Sequence, residues 1–327
     1  MKVAFFSTKL YDRTYFEKYN RVHQISFFEV PLNISTAYLA KDHTAICVFV
    51  HDDVKAEVIA ILASFKIQLI VLRCAGFNNV DVVAAHQQGI AVVRVPAYTP
   101  HAVAEHALAL ILTLNRKTHK AFNRVREGNF VADNLIGFNL FGKTVGVIGT
   151  GKIGQCFATI MLGLGCKVIA FDMVANKQME AAGVIYMPLI DVLSNSDIIS
   201  LHCPLTEISK HIINATTLAF VKKGAMLINT SRGALIDTTA VITALKKGII
   251  GYLGIDVYEQ EEKLFFNDLS EQLIDDELII RLMGFPNVLI TAHQGFLTQE
   301  ALTEIAQTTL QNITSYELGL PIANSVQ

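Results

Sequence analysis

No apolar run in this sequence approaches the roughly 18 residues needed to cross a bilayer, although apolar residues make up 52% of the chain and mean hydropathy is +0.40. The richest stretch, Ala107–Leu114, lies between Glu105-His106 and Asn115-Arg116-Lys117 and reads as a buried helix. No block of Lys or Arg stands out. The formal charge is −2, so a basic nucleic-acid face is not indicated. The five cysteines (Cys47, Cys74, Cys156, Cys166 and Cys203) are odd in number and lack C-x-x-C or zinc-type spacing, and they read as reduced core thiols. His101, Glu105 and His106 have ligating chemistry, but they lack the H-E-x-x-H pattern and a third ligand, so no metal is expected. Internal repeats and low-complexity tracts are absent. The stretch from Met1 to Ser7 reads as a short strand rather than an export signal, which makes a cytoplasmic location the expectation.

What the chain does have is alternation. Short runs rich in Val, Ile and Leu recur from end to end with helical patterns between them, at 2–7, 25–30, 45–50, 68–73 and 91–95, and again at 144–148, 167–171, 184–186, 198–201, 225–229, 253–257 and 288–291. Strands buried on both faces and separated by helices indicate α/β architecture with parallel sheets. A length of 327 residues suggests two domains. The seam is expected at Pro96-Ala97-Tyr98-Thr99-Pro100, where two prolines end a strand and Pro100 suits a helix start. One long helix is expected from His101 to about Glu127. The final helical pattern, from Thr298 to about Glu317, is expected to return to the first domain. The resulting boundaries are 1–99 with 300–327 for one domain and 100–299 for the other.

The most informative local feature is Gly149-Thr150-Gly151-Lys152-Ile153-Gly154, set between the strand at 144–148 and an amphipathic helix. A strand and Asp172 follow. This is the dinucleotide-binding fingerprint in its required context. Gly149 permits the tight turn, Gly151 lets backbone approach a pyrophosphate, and Gly154 lets the helix pack on the strand. The helix N-terminus offers N–H groups and partial positive charge to phosphate, with Lys152 and Ile153 in its first turn. Asp172 follows Gly154 by 18 residues. Its carboxylate can accept from both ribose hydroxyls and repels a 2′-phosphate, which favours NAD over NADP.

Three later segments carry a resemblance: Asn229-Thr230-Ser231-Arg232-Gly233-Ala234-Leu235-Ile236-Asp237, Gly254-Ile255-Asp256-Val257-Tyr258-Glu259-Gln260-Glu261 and Thr291-Ala292-His293-Gln294-Gly295-Phe296. With Arg73-Cys74-Ala75-Gly76-Phe77-Asn78-Asn79-Val80-Asp81 and Val95-Pro96-Ala97-Tyr98, they make essentially the whole chain resemble the D-2-hydroxyacid dehydrogenase family, and within it the D-lactate dehydrogenase branch. The resemblance implies a Rossmann-type NAD-binding domain and a flavodoxin-like substrate-binding domain that close on substrate. It also implies a catalytic trio of Arg232, Glu261 and His293. Reducing a 2-keto acid needs a hydride at the carbonyl carbon and a proton at its oxygen. His293 would give the proton, Glu261 would hold its other ring nitrogen, and Arg232 would grip the substrate carboxylate through its planar fork. The residues alone do not choose among Glu259, Glu261 and Glu262; the family motif selects Glu261.

The same resemblance places Ala75, Gly76, Tyr98 and Phe296 against substrate. It places Cys203, Pro204, Ser209, Thr230 and Asp256 near the cofactor, Ser209 standing where relatives often carry Asn. The implied activity is NADH-dependent reduction of pyruvate to D-lactate by a homodimer or homotetramer. Tyr98, Phe296 and Phe49 argue for a small pocket over one for phenylpyruvate or a branched-chain keto acid. A non-catalytic NAD-sensing binding protein is the alternative of another class.

Overall fold

The computed structural model describes residues 1–326, excepting the side chain of Lys263. The chain divides into two compact units, Met1–Thr99 with Phe296–Gln327, and Pro100–Gly295. Each is built on a parallel sheet, as the alternating pattern anticipates. Among the described residues, no helix is long and apolar enough to cross a membrane.

The first unit holds β1 (Lys2–Phe5), β2 (Gln24–Phe27), β3 (Ala45–Val48), β4 (Leu69–Leu72) and β5 (Ala91–Arg94), in the order β2-β1-β3-β4-β5. All four pairings are parallel, and this is the flavodoxin-like order. Side chains alternate across the strands and feed two cores. Val3, Phe5, Ala45, Cys47, Leu69 and Val71 pack with Ala306, Leu310 and Ile313 of the last helix, Gln299–Glu317. Ala4, Phe6, Ile46, Val48, Ile70 and Leu72 pack on the opposite face with Val58, Ile59 and Leu62.

The second unit holds β6 (Thr144–Ile148), β7 (Lys167–Phe171), β8 (Ile185–Tyr186), β9 (Ile198–Leu201), β10 (Ala225–Asn229), β11 (Ile250–Ile255) and β12 (Val288–Ile290). Their order is β12-β11-β10-β9-β6-β7-β8, the doubly wound arrangement of a Rossmann domain with one added strand. The strand order reverses between β9 and β6, which opens a crevice at their carboxyl ends. The helix Pro100–Arg116 lays Ala104, Ala107, Leu110, Ile111 and Leu114 on this sheet, beside Val145, Val147 and Ile228.

Two expectations need correction. The helix expected over 101–127 is two helices, Pro100–Arg116 and Thr118–Arg126, broken at Lys117 in left-handed conformation (φ 51°). No proline or glycine announces the break. Instead the Lys117 ammonium donates to the carbonyls of Asn134 (2.8 Å) and Ile136 (3.1 Å), while the Asn115 side chain bonds the backbone of Phe138 on both sides at 2.7 Å. The returning segment therefore sets the bend. The strand expected at 253–257 runs instead over Ile250–Ile255, and its ladder with β10 closes at the bond from Asp256 N–H to the carbonyl of Asn229 (2.9 Å).

At the carboxyl edge of the first sheet, the Arg73 guanidinium is 2% exposed and lies over the rings of Phe5 (4.4 Å) and Phe49 (4.9 Å). It donates to the carbonyl of Ser7 (2.8 Å) and to the carboxylate of buried Asp12 (3.3 Å). Nearby Asp52, also buried, accepts from the Ser7 hydroxyl (2.8 Å), Leu32 N–H (2.7 Å) and Phe49 N–H (2.6 Å), which ties three loops to one carboxylate. Burial raises the Asp52 carboxyl above the usual range, against the pull of Arg73 and these hydrogen bonds. Deleting one member of a buried pair strands its partner. Asp12→Ala should therefore cost about 3 kcal/mol in urea denaturation followed by circular dichroism, with Asp12→Leu plus Arg73→Met less damaging. An unchanged midpoint in Asp12→Ala would refute this account.

Candidate active site

The second unit gathers its candidate residues just past the carboxyl ends of β6, β7, β9, β10, β11 and β12. After β6, Gly149 adopts φ 94° and donates to the carbonyl of Phe171 (2.9 Å). A side chain there would run into the backbone of His202 and Cys203. Gly154 faces the Gly149 carbonyl so closely that a Cβ could not fit, and this lets the helix Lys152–Gly163 start directly over the strand. Gly151 caps that helix, and a Cβ on it would meet nothing within 4 Å. The first turn, Lys152, Ile153 and Gly154, thus presents N–H groups without helical acceptors, together with the positive end of the dipole, to bare space.

Asp172 follows β7. Its Oδ2 accepts from the Thr150 N–H (2.6 Å) and hydroxyl (2.9 Å), its Oδ1 from the Met173 N–H (2.7 Å), and the Tyr186 hydroxyl donates to Thr150 Oγ1 (3.0 Å). Burial works against the charge, but these donors outweigh it and hold the carboxyl below its usual range. It is half-exposed and keeps lone pairs for a ligand. The aligning role of Thr150 and Tyr186 is absent from the sequence reading. Thr150 is a variable position of the fingerprint, and Tyr186 reaches it only because β8 pairs with β7.

Past β9, the ring of His202 packs on Phe157 (4.8 Å) with Nε2 on the Ser200 hydroxyl (2.9 Å), while its buried Nδ1 has no partner among the described residues. Burial pushes His202 down to about 3 and the Cys203 thiol up to about 11, so both are neutral near pH 7. The Ser209 hydroxyl donates to the Pro204 carbonyl (2.7 Å) and accepts from Thr206 N–H (2.8 Å), closing the loop that begins at Cys203.

Past β10, buried Asn229 closes a turn by donating to the Arg232 carbonyl (2.8 Å) and accepting from Ser231 N–H (3.0 Å). Arg232 emerges from that turn, and its Nη1 donates to the Ser231 carbonyl (2.7 Å). Among the described residues no carboxylate pairs with this guanidinium. Thr230 is buried, and its hydroxyl has no partner among the described residues. Gly233 is required by a close approach, since a Cβ would overlap the Tyr258–Glu259 backbone.

Glu261 meets His293: Oε1 lies 2.8 Å from Nδ1, and Oε2 accepts from Tyr258 N–H (2.9 Å). Glu259 instead pairs with His211 (2.5 Å) and Thr238 (3.1 Å), and Glu262 is exposed. His293 itself has φ 52°, an uncommon conformation for a side-chain-bearing residue. Its N–H bonds the Asp256 carbonyl (2.7 Å), while the Asp256 carboxylate accepts from Thr291 Oγ1 (2.5 Å), Gln294 N–H (2.9 Å) and Gly295 N–H (2.8 Å). Burial opposes the Asp256 charge, but these donors and the His106 ring (3.3 Å) keep its carboxyl below the usual range. Asp256 is 1% exposed, and its carboxylate holds the histidine loop.

In the first unit, the carbonyls of Ala75 and Gly76 accept from Arg94 Nη1 (2.7 Å) and Cys74 Sγ (3.3 Å). Phe296 lies among the rings of Phe49 (5.9 Å), Tyr11 (6.2 Å) and Tyr98 (6.3 Å). No spacing in the sequence signals Tyr11, which arrives from the first turn of the helix Leu10–Tyr19.

Residues 108–295 match the family model described as D-isomer specific 2-hydroxyacid dehydrogenase, NAD binding domain. The chain belongs to the D-isomer specific 2-hydroxyacid dehydrogenases. It is 49% identical over 331 residues to 2-hydroxyacid dehydrogenase A of Aspergillus oryzae, covering 100% of this chain and 95% of that one. It is 48% identical over 328 residues to the D-lactate dehydrogenase of Escherichia coli, covering 100% of both. The apo structure of that enzyme aligns with a TM-score of 0.93 at 46% identity, covering 100% of both chains. A structure of the pyruvate reductase of Chlamydomonas reinhardtii aligns with a TM-score of 0.94 at 44% identity, covering 99% of this chain and 98% of that one.

As a member of this family the dehydrogenase uses NAD. Its residues fit that group: the glycine turn leaves open space at Gly151, the buried Thr230 hydroxyl lacks a partner among the described residues, and Asp172 is ionised with acceptors to spare. One consequence concerns acid. An unfolded histidine takes up its proton below about 6.5, whereas folded His202 does so only near 3. The unfolded state therefore binds more protons across that window, and the dehydrogenase should lose stability as pH falls from 6.5 toward 3. His202→Gln should flatten this loss in melting curves recorded across that range. An identical pH profile in the variant would contradict the assignment.

Proposed function

We propose that this dehydrogenase reduces pyruvate to D-lactate. The single observation that carries the reading is the His293–Glu261 hydrogen bond of 2.8 Å, standing in the same unit as an Arg232 that no carboxylate neutralises among the described residues. Bound NADH supplies a hydride to the substrate carbonyl carbon. With Nδ1 engaged by Glu261, His293 has Nε2 left to give a proton to the carbonyl oxygen. Tyr258 N–H fixes the second Glu261 oxygen, so the carboxylate cannot turn away as the ring changes charge. Arg232 takes the substrate carboxylate through parallel N–H donors and draws electron density from the adjacent carbonyl.

In this reading the first unit is the substrate-binding domain. The backbone N–H groups of Ala75 and Gly76 add to the carboxylate grip, and Tyr98 lines the site. Phe296, set among the rings of Tyr11, Phe49 and Tyr98, walls the site beside the substrate methyl. Gly149, Gly151, Lys152, Ile153 and Gly154 cradle the pyrophosphate, and Asp172 accepts from the ribose. Cys203, Pro204, Ser209 and Thr230 flank the rest of the cofactor, and Asp256 holds the loop that carries His293. The similarity to the D-lactate dehydrogenase of Escherichia coli and to the pyruvate reductase of Chlamydomonas reinhardtii supports the same substrate. The reading includes a cytoplasmic homodimer or homotetramer. The exposed Phe130, Ile136 and Phe141 supply apolar surface for such an assembly to cover.

Pyruvate-dependent oxidation of NADH should fall by about 10²–10⁴-fold in His293→Asn while NADH affinity stays unchanged. Across a keto-acid series, kcat/KM should be highest for pyruvate. A preference for phenylpyruvate or a branched-chain acid would move the reading to that substrate, and NADH binding with no turnover would make the chain a sensor. Separately, Asp172→Ala should narrow the preference for NADH over NADPH by about tenfold or more, in competition assays that leave the proton-donating step untouched. An unchanged preference would remove Asp172 from cofactor selection.

A further inference from the structure

We propose that Arg94 is a positioning residue for the substrate carboxylate, acting through the Ala75–Gly76 peptide. The inference rests on the reading above that these two N–H groups face the carboxylate. It adds the group that aims and strengthens the Gly76 N–H.

Arg94 ends β5, and its root is fixed on both sides. Its N–H donates to the Asn324 carbonyl (3.1 Å), and its carbonyl accepts from Asn312 Nδ2 (3.0 Å), whose Oδ1 is held by Asn324 Nδ2 (2.9 Å). From this anchored base the guanidinium reaches back to β4's exit loop. Nη1 donates to the Ala75 carbonyl at 2.7 Å, and the planar group lies 5.0 Å from the centre of the Phe77 ring. One side chain thus contacts both ends of the segment Ala75–Phe77.

The consequence follows from peptide geometry. The bond is trans, as are all peptide bonds among the described residues, so the Ala75 carbonyl and the Gly76 N–H point in opposite directions. Holding the carbonyl on Arg94 directs the Gly76 N–H away from it. The Cys74 thiol does the same for the next peptide by donating to the Gly76 carbonyl (3.3 Å). Among the described residues, no protein acceptor meets the Ala75 or Gly76 N–H groups. The Gly76 donor is therefore aimed by Arg94 and unspent.

Charge adds to direction. Arg94 is half-buried, and among the described residues no carboxylate pairs with it. A full positive charge on one end of a peptide polarises it and makes the N–H at the other end a better donor to an anion.

The test compares pyruvate kinetics, inhibition by oxamate and NADH affinity in the wild type and in Arg94→Met, Arg94→Lys and Arg94→Ala. In Arg94→Met the KM for pyruvate and the inhibition constant of oxamate should both rise about tenfold, with kcat within about threefold and NADH affinity unchanged. Arg94→Lys should recover part of the loss. Guanidinium ion, added to Arg94→Ala below unfolding concentrations, should restore pyruvate binding. A rise in KM matched by an equal loss of NADH affinity and a lower melting temperature would reduce Arg94 to a structural residue and overturn the proposal. Unchanged KM and oxamate inhibition would overturn it too. If Arg94→Met does not fold, Arg94→Lys and the guanidinium rescue still decide. Wild-type turnover of pyruvate, lost in His293→Asn, tests the underlying reading independently, so failure of the Arg94 variants alone leaves that reading intact.

Discussion

A parallel sheet delivers every strand's carboxyl end to one edge, and the loops leaving that edge have no neighbouring strand to bond. Their polar groups must find partners in side chains. Both units meet this constraint in the same way. Asp52 collects Ser7, Leu32 and Phe49 on one carboxylate, and Asp256 collects Thr291, Gln294 and Gly295 on another. Asn229 closes the turn before Arg232. These buried polar residues are the scaffold on which the chemistry stands. A loop pinned by a carboxylate can hold a strained backbone such as that of His293, which a solvated loop would relax.

The parts legible in the sequence were those whose meaning lies along the chain. The glycine fingerprint and Asp172 are read from spacing, because the turn, the helix start and the next strand are covalently sequential. Alternating buried runs gave parallel sheets for the same reason. The interval between Glu261 and His293 says nothing by itself, and only the likeness to a family selected Glu261 from three neighbouring glutamates. The fold then brings Oε1 to 2.8 Å from Nδ1 and sends Glu259 to His211.

What could not be read depends on neighbours fixed by sheet order. Tyr186 supports Asp172 through Thr150 only because β8 lies beside β7, and Arg94 reaches Ala75 only because β5 lies beside β4. The bend at Lys117 is of the same kind. Helix propensity continues through Arg116 and Lys117, and a returning segment 17 to 19 residues on overrides it by taking the lysine side chain.

The two carboxylates near His293 are held in different ways. Asp256 is buried, and its oxygens are taken up by hydroxyl, amide and imidazole donors, so it has little left to answer a new charge. Glu261 keeps one oxygen for a backbone amide and turns the other to an imidazole nitrogen. A carboxylate in that position keeps its orientation through the backbone amide while its other oxygen faces the ring. The pair therefore needs both members: without Asp256 the ring has no fixed address, and without Glu261 the addressed ring has no fixed tautomer.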